Sequence, residues 1–130
     1  MSADGTYSFV YCGEVGVGIG VVTIQNNILK GADLTGVQYR GVVSELPNAT
    51  GYRVVYNMSI PADVVLVQGT APQDISHKRG DITLDFPPDF YNGEPITLIA
   101  SPGKITLMIR KISDDLAWYA SSAKVTITRV

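Results

Sequence analysis

Cysteine and histidine are almost missing from this chain: Cys12 and His77 are the only ones. A lone cysteine forms no internal disulfide, which points to a reducing compartment, and one Cys with one His is too few for the usual zinc ligand sets. Charge is sparse as well. Charged residues make up 17% of the chain, with a net charge of -2 and a pI near 5.2, so no basic stripe marks a DNA, RNA or anionic-membrane partner. No apolar run approaches the roughly 20 residues that cross a bilayer. Residues 1–6 are polar and carry no basic segment followed by an apolar core. These absences lead to the expectation of a cytoplasmic protein with no membrane span and no direct nucleic-acid partner. Helical stripes longer than two turns are missing too, so what remains is strand.

A chain of 130 residues makes one domain, 1–130, long enough to bury about two thirds of the surface of its unfolded form. Its clearest pattern lies in residues 51–60. Tyr52, Val54, Tyr56, Met58 and Ile60 fall on one side of an extended chain, and Arg53, Val55, Asn57 and Ser59 on the other. Successive strand side chains point to opposite faces, so one face packs inward and the other looks outward.

The same period recurs along the chain. Residues 6–12 place Tyr7, Phe9 and Tyr11 on one face and Ser8, Val10 and Cys12 on the other; 13–16 turns, and 17–25 returns with glycines on one face, where a bent wall or a close neighbour wants no side chain. Asn26 and Asn27 tolerate positive φ and signal a two-residue hairpin into 28–33. After a break at 34–36, Val37, Tyr39, Gly41 and Val43 alternate with Gln38, Arg40, Val42 and Ser44, and 46–50 is a loop.

Pro61 ends the 51–60 strand. Residues 64–68 are a short β-branched run, 69–80 a polar loop holding His77, Lys78 and Arg79, and 81–86 a strand with Ile82, Leu84 and Phe86 inward, stopped by Pro87 and Pro88. Strands at 96–100 and 105–112 flank a turn at 101–104 around Pro102-Gly103. Residues 114–122 read either as a short helix capped by Asp114 or as a wide hairpin, and 124–130 as a closing strand. The fold expected is all-β, an antiparallel barrel of about eight to ten strands, because closure removes exposed edges. A two-sheet sandwich is the rival.

Chemistry is harder to find. The run Gly16-Val17-Gly18-Ile19-Gly20 is followed by a strand, whereas a dinucleotide-binding turn opens a helix whose N–H groups face the phosphate. His77 beside Lys78 and Arg79 reads as a solvated loop residue, Cys12 as an inert thiol, and Asp81 and Asp85 as solubilising charges. Neither Ser121-Ser122 nor Asp114-Asp115 joins a triad. No catalytic, cofactor or metal site is expected, and the chain reads as a non-enzyme. The inward aromatic set is the more informative feature. Tyr7, Phe9, Tyr39, Tyr52, Val54 and Tyr56 are expected inside a barrel, where they either fill the interior or line a cavity for a small apolar ligand or lipid.

Asp4-Gly5-Thr6-Tyr7, Gly16-Val17-Gly18-Ile19-Gly20, Gly31-Ala32-Asp33 and Tyr39-Arg40-Gly41 follow one another as D-G-x-Y, G-x-G, G-x-D and Y-x-G. In this order they resemble the opening of the GrlR-type negative regulators of type III secretion. The resemblance implies a small lipocalin-like β-barrel that assembles as a homodimer. It also implies a non-enzymatic function, in which the protein binds and sequesters a transcriptional regulator. In that family an acidic run after the fourth strand meets the partner. Here the matching segment, with Ser44, Glu45 and Leu46 as the expected partner-facing loop, keeps a single acid. The outward residues Val10, Val42, Val55 and Met108 are candidates for a dimer surface.

Overall fold

The structure is a computed structural model in which residues 2–13, 16–64, 75–100 and 103–114 are described. Eight antiparallel strands form one sheet: β1 (Gly5–Gly13), β2 (Gly16–Gln25), β3 (Ile28–Asp33), β4 (Gln38–Glu45), β5 (Tyr52–Ile60), β6 (His77–Phe86), β7 (Ile96–Ala100) and β8 (Gly103–Ser113). A 3-10 turn, Pro47–Ala49, lies between β4 and β5. The sheet order is β6-β5-β4-β3-β2-β1-β8-β7. β1 therefore has β2 on one edge and β8 on the other, and the sheet curls until β6 and β7 face each other across a seam. The result is a nearly closed barrel, which sets the sandwich aside.

Local chemistry explains the hairpins. Asn26 and Asn27 both take positive φ, 51° and 67°, and close β2 onto β3 with Gln25 opposite Ile28. A two-residue turn of that hand matches the twist of the strands it joins. Alternation then fills the interior. A main cluster includes Tyr7, Phe9, Ile24, Leu29, Val43, Tyr52, Val54, Ile105, Leu107 and Ile109, and a second gathers Val37, Met58 and Ile60 toward the end of β5.

Several sequence expectations shift. β6 begins at His77, so His77, Lys78 and Arg79 belong to a strand and not to a polar loop. Tyr56 pairs with Ile82 but Met58 with Arg79, which leaves one extra residue on β6 around Gly80 and Asp81. This bulge reverses the phase, so His77 and Arg79 share the face of Ile60 and Met58 and the alternation read from residue 81 onward does not extend back. β8 likewise starts at Gly103, within the expected turn. Val64 lies outside any strand. Residues 65–68 of the expected β-branched run, 69–74 of the loop, 101–102 of the turn, 115–122 and the expected strand 124–130 fall outside the described residues.

Candidate functional site

The inward faces of the strands converge on one apolar cavity of about 130 Å³. Tyr7, Phe9, Tyr39, Tyr52, Val54 and Tyr56 all line it, together with Tyr11, Met58, Leu84, Phe86, Phe90 and, from β8, Ile105, Leu107 and Ile109 among others. The rings meet at angles instead of stacking flat: Phe9 and Tyr39 lie edge to face at 5.8 Å, and Tyr52 and Phe90 at 5.6 Å. Such tilted contacts place the positive edge of one ring on the negative face of the next.

The glycines of β2 make room for these rings. Gly18 stands opposite Tyr11 and Gly20 opposite Phe9. A Cβ at either position would fall inside the facing ring's van der Waals shell, and at Gly20 it would also come within 2.5 Å of the Ala32 carbonyl oxygen. The rings thus lie across bare backbone, and the wall closes tightly there.

One polar group sits at the end of the interior where β3 stops. Asp33 is only 8% exposed, and its carboxylate accepts five hydrogen bonds. Oδ2 accepts from the Tyr11 hydroxyl at 2.5 Å and the Tyr39 hydroxyl at 2.9 Å. Oδ1 accepts from the Thr35 amide, the Thr35 hydroxyl and the Val37 amide at 2.9, 2.6 and 3.2 Å. Burial alone would raise this carboxyl, but the bonds from Thr35, Tyr11 and Tyr39 outweigh it and hold the group below its usual range. The tyrosines move the other way. Burial, with the bond to Asp33, pushes Tyr11 up to about 12, burial pushes Tyr56 up to about 12, and Tyr39 and Tyr7 are raised further by burial and nearby negative charge. Every one of them stays a neutral phenol near neutral pH, so none serves as a general base.

Asp33 was not among the candidate residues of the sequence. Its signal was present: Leu29, Gly31 and Asp33 share one face, so a carboxyl two places beyond an inward glycine must turn inward too. Phe90 was missed for a different reason. It follows Pro87 and Pro88, outside any strand, yet it is buried against Tyr7, Tyr52, Phe86 and Tyr91.

The remaining candidates do not come together. Cys12 faces outward on β1, paired with Val17 and Thr106, while His77 pairs with Ile60 on β5, and β1 and β6 are not neighbours. His77 is half-buried, with an Nδ1 that has no hydrogen-bond partner among the described residues. Ser44 and Glu45 are strand residues opposite Arg53 and Tyr52, whereas half-buried Leu46 lies in the connection between β4 and β5, as expected, and donates its amide to the Gly51 carbonyl. Among the described residues no group of three or more His, Cys, Asp or Glu is placed to hold a metal ion, and no helix is long and apolar enough to cross a membrane.

Outside, the four outward apolar residues divide into two patches. Val42 pairs with Val55 and with Ile28, forming a row across β3, β4 and β5. Val10 pairs with Met108 and with Ile19, forming another across β2, β1 and β8. Beside the first row Lys30 and Arg40 stand directly opposite each other, both exposed, and neither meets an acidic side chain among the described residues.

Fold and interior together define a class: a small antiparallel β-barrel with an apolar, aromatic cavity and two apolar strips on its outer wall. Comparison with protein-family models, with curated proteins and with solved structures finds no match for this chain.

Proposed function

We propose that the chain is a non-enzymatic regulatory or adaptor protein that works by binding another protein through the outer wall of β3, β4 and β5. The observation that carries this reading is the row Ile28, Val42 and Val55 lying beside the cation pair Lys30 and Arg40. Like charges directly opposite across two strands destabilise the sheet, and no acid of the described chain relieves them. A partner segment that offers apolar side chains to the row and carboxylates to the cations would relieve both costs. The GrlR-type resemblance adds that such a partner is a transcriptional regulator and that the protein is a homodimer. The second outward row, Ile19, Val10 and Met108, supports self-association, which light scattering at micromolar concentration tests directly. A monomer there removes the dimer.

Carriage of a lipid or a long acyl chain fits less well. Sites for drug-sized ligands run to about 300–1,000 Å³, against about 130 Å³ here.

The test of the main reading is purification of a tagged chain from its native extract beside two altered forms, Val42→Arg and the double change Lys30→Glu with Arg40→Glu. The wild-type chain should recover a protein that both altered forms lose, with recovery falling as salt screens the charges. Equal recovery by all three, or none by any, overturns the proposal.

A further inference from the structure

Close-packed protein interiors leave few voids larger than a water molecule, which occupies roughly 30 Å³ of the liquid. The barrel encloses about 130 Å³ among full-length side chains, so this space belongs to the native sequence. Closing it would need the rings of the wall to move inward, and contacts made away from the cavity hold them. Phe9 lies over the bare backbone of Gly20 and meets Tyr39 edge to face. The Tyr39 hydroxyl is tied to Asp33, and Tyr7 is held by Phe90 and by its bond to the Ala3 carbonyl. The void therefore persists.

Its wall decides what can enter. None of the nineteen lining residues carries a charge, and their side-chain oxygens and nitrogens amount to five tyrosine hydroxyls. Three of these, on Tyr7, Tyr11 and Tyr39, donate to protein oxygens. Lys111, whose Nζ stands 5.7 Å from the centroid of the Tyr7 ring, is not part of the wall and is paired with Asp114. A buried water needs about two to four polar partners, so a wall of rings and aliphatic side chains is poor ground for one. Left empty, the same wall forfeits dispersion contacts along its whole surface. A charged guest would lose its hydration with no ion to meet it. An engineered apolar cavity of roughly 150 Å³ stays dry and takes up benzene, which sets the size of guest to expect.

We propose that the barrel interior is a binding site for a neutral apolar molecule of about one ring, of the alkylbenzene class, recognised by shape and burial without a directed hydrogen bond. The site is separate from the outer wall of β3, β4 and β5, so it stands or falls independently of any protein partner.

Titration of the full chain with toluene, benzoate, benzylamine and biphenyl, read by calorimetry and by thermal shift, tests this. Toluene should bind and raise the melting temperature. Benzoate and benzylamine keep the ring but add a charge of either sign, and both should bind at least roughly tenfold more weakly. Biphenyl doubles the ring and should be refused. Intermolecular nuclear Overhauser effects from bound toluene should reach the methyls of Val54 and Leu107 inside, and not those of Val10 and Val42 outside. Leu107→Phe takes up part of the space and should weaken toluene at least roughly tenfold; the effects on the wild-type chain locate the guest even if that variant does not fold. No uptake of toluene, benzoate or benzylamine binding as tightly, biphenyl binding as tightly, or contacts on the outer methyls overturns the assignment.

Discussion

Replacing Asp33 by alanine removes the shared acceptor of five hydrogen bonds and strands two phenol hydroxyls and two backbone amides in a largely buried place. Leaving a buried donor unmade costs about 1–3 kcal/mol, and water reaching part of the vacated space recovers some of it. A net loss of about 3 kcal/mol, read as a lower urea midpoint with unchanged slope, is the expected outcome for Asp33→Ala. The same carboxyl sets an acid limb. Its folded value lies below the ordinary one, so its contribution is present above the unfolded value of about 4 and is lost as pH falls through the folded value. Wild-type stability should therefore fall more steeply below pH 4 than that of Asp33→Asn; parallel curves would show that the carboxylate contributes nothing through its charge. The buried phenols set an alkaline limb of opposite sign. Tyr11 and Tyr56 are raised to about 12, so their contribution is complete below the unfolded value of about 10 and is lost as pH climbs toward 12. Urea midpoints at pH 8 and pH 11 should differ clearly, with phenolate absorbance rising together with unfolding.

At the scale of strands, the glycines of β2 separate two causes that a sequence merges. Gly16 and Gly20 both sit on the alternation of this strand, yet a Cβ at Gly16 meets nothing within 4 Å, and one at Gly20 meets the Ala32 carbonyl and the Phe9 ring at 2.5 Å. Gly20→Val should cost about 1–3 kcal/mol and lower the melting temperature by several degrees, whereas Gly16→Val should leave it nearly unchanged. Equal melting curves for the two would discard the close approach of Phe9 to β2. Strand identity itself was legible from period two at residues 6–12, 17–25 and 51–60, because each inward set is apolar, aromatic or glycine; in 28–33 the inward set is Leu29, Gly31 and the carboxylate Asp33. The strand was missed at 77–79, expected as polar loop, because the bulge at Gly80 and Asp81 interrupts the alternation and puts a histidine and an arginine in register with Ile60 and Met58. Alternation is read by counting, and one uncounted residue inverts every face beyond it. The interior set Tyr7, Phe9, Tyr39, Tyr52, Val54 and Tyr56 could be listed from parity, but how much space they leave depends on ring tilt, which no residue pattern encodes.

For the whole molecule, closure depends on how the first and last described strands meet and on what covers the remaining gap. β1 and β8 pair from Thr6 with Ser113 to Cys12 with Thr106, so the two ends of the described chain are tied together by a ladder. Among the described strands only β6 and β7 lack a partner on one edge, and residues 87–95 connect them at one mouth of the barrel. That connection is not idle. Asn92 bridges to Arg110 and the Gly93 amide donates to the Ile109 carbonyl, which carries β7's contact with β8 past the strand's end. Between these anchors and Phe86, the ring of Phe90 packs 5.3 Å from Tyr7 and 5.6 Å from Tyr52, residues of β1 and β5 on different parts of the wall. A single side chain thus bridges strands that no hydrogen bond joins. Phe90→Ala should cost about 3–5 kcal/mol, the usual range for emptying a phenylalanine site. The loss should be uneven: amides of β6 and β7 beside the seam should exchange faster, while the β1–β8 ladder keeps its protection up to the limit of global unfolding. Uniform acceleration across all eight strands would mean that the seam opens only when the whole barrel does, and that Phe90 contributes to the core at large without fastening this mouth.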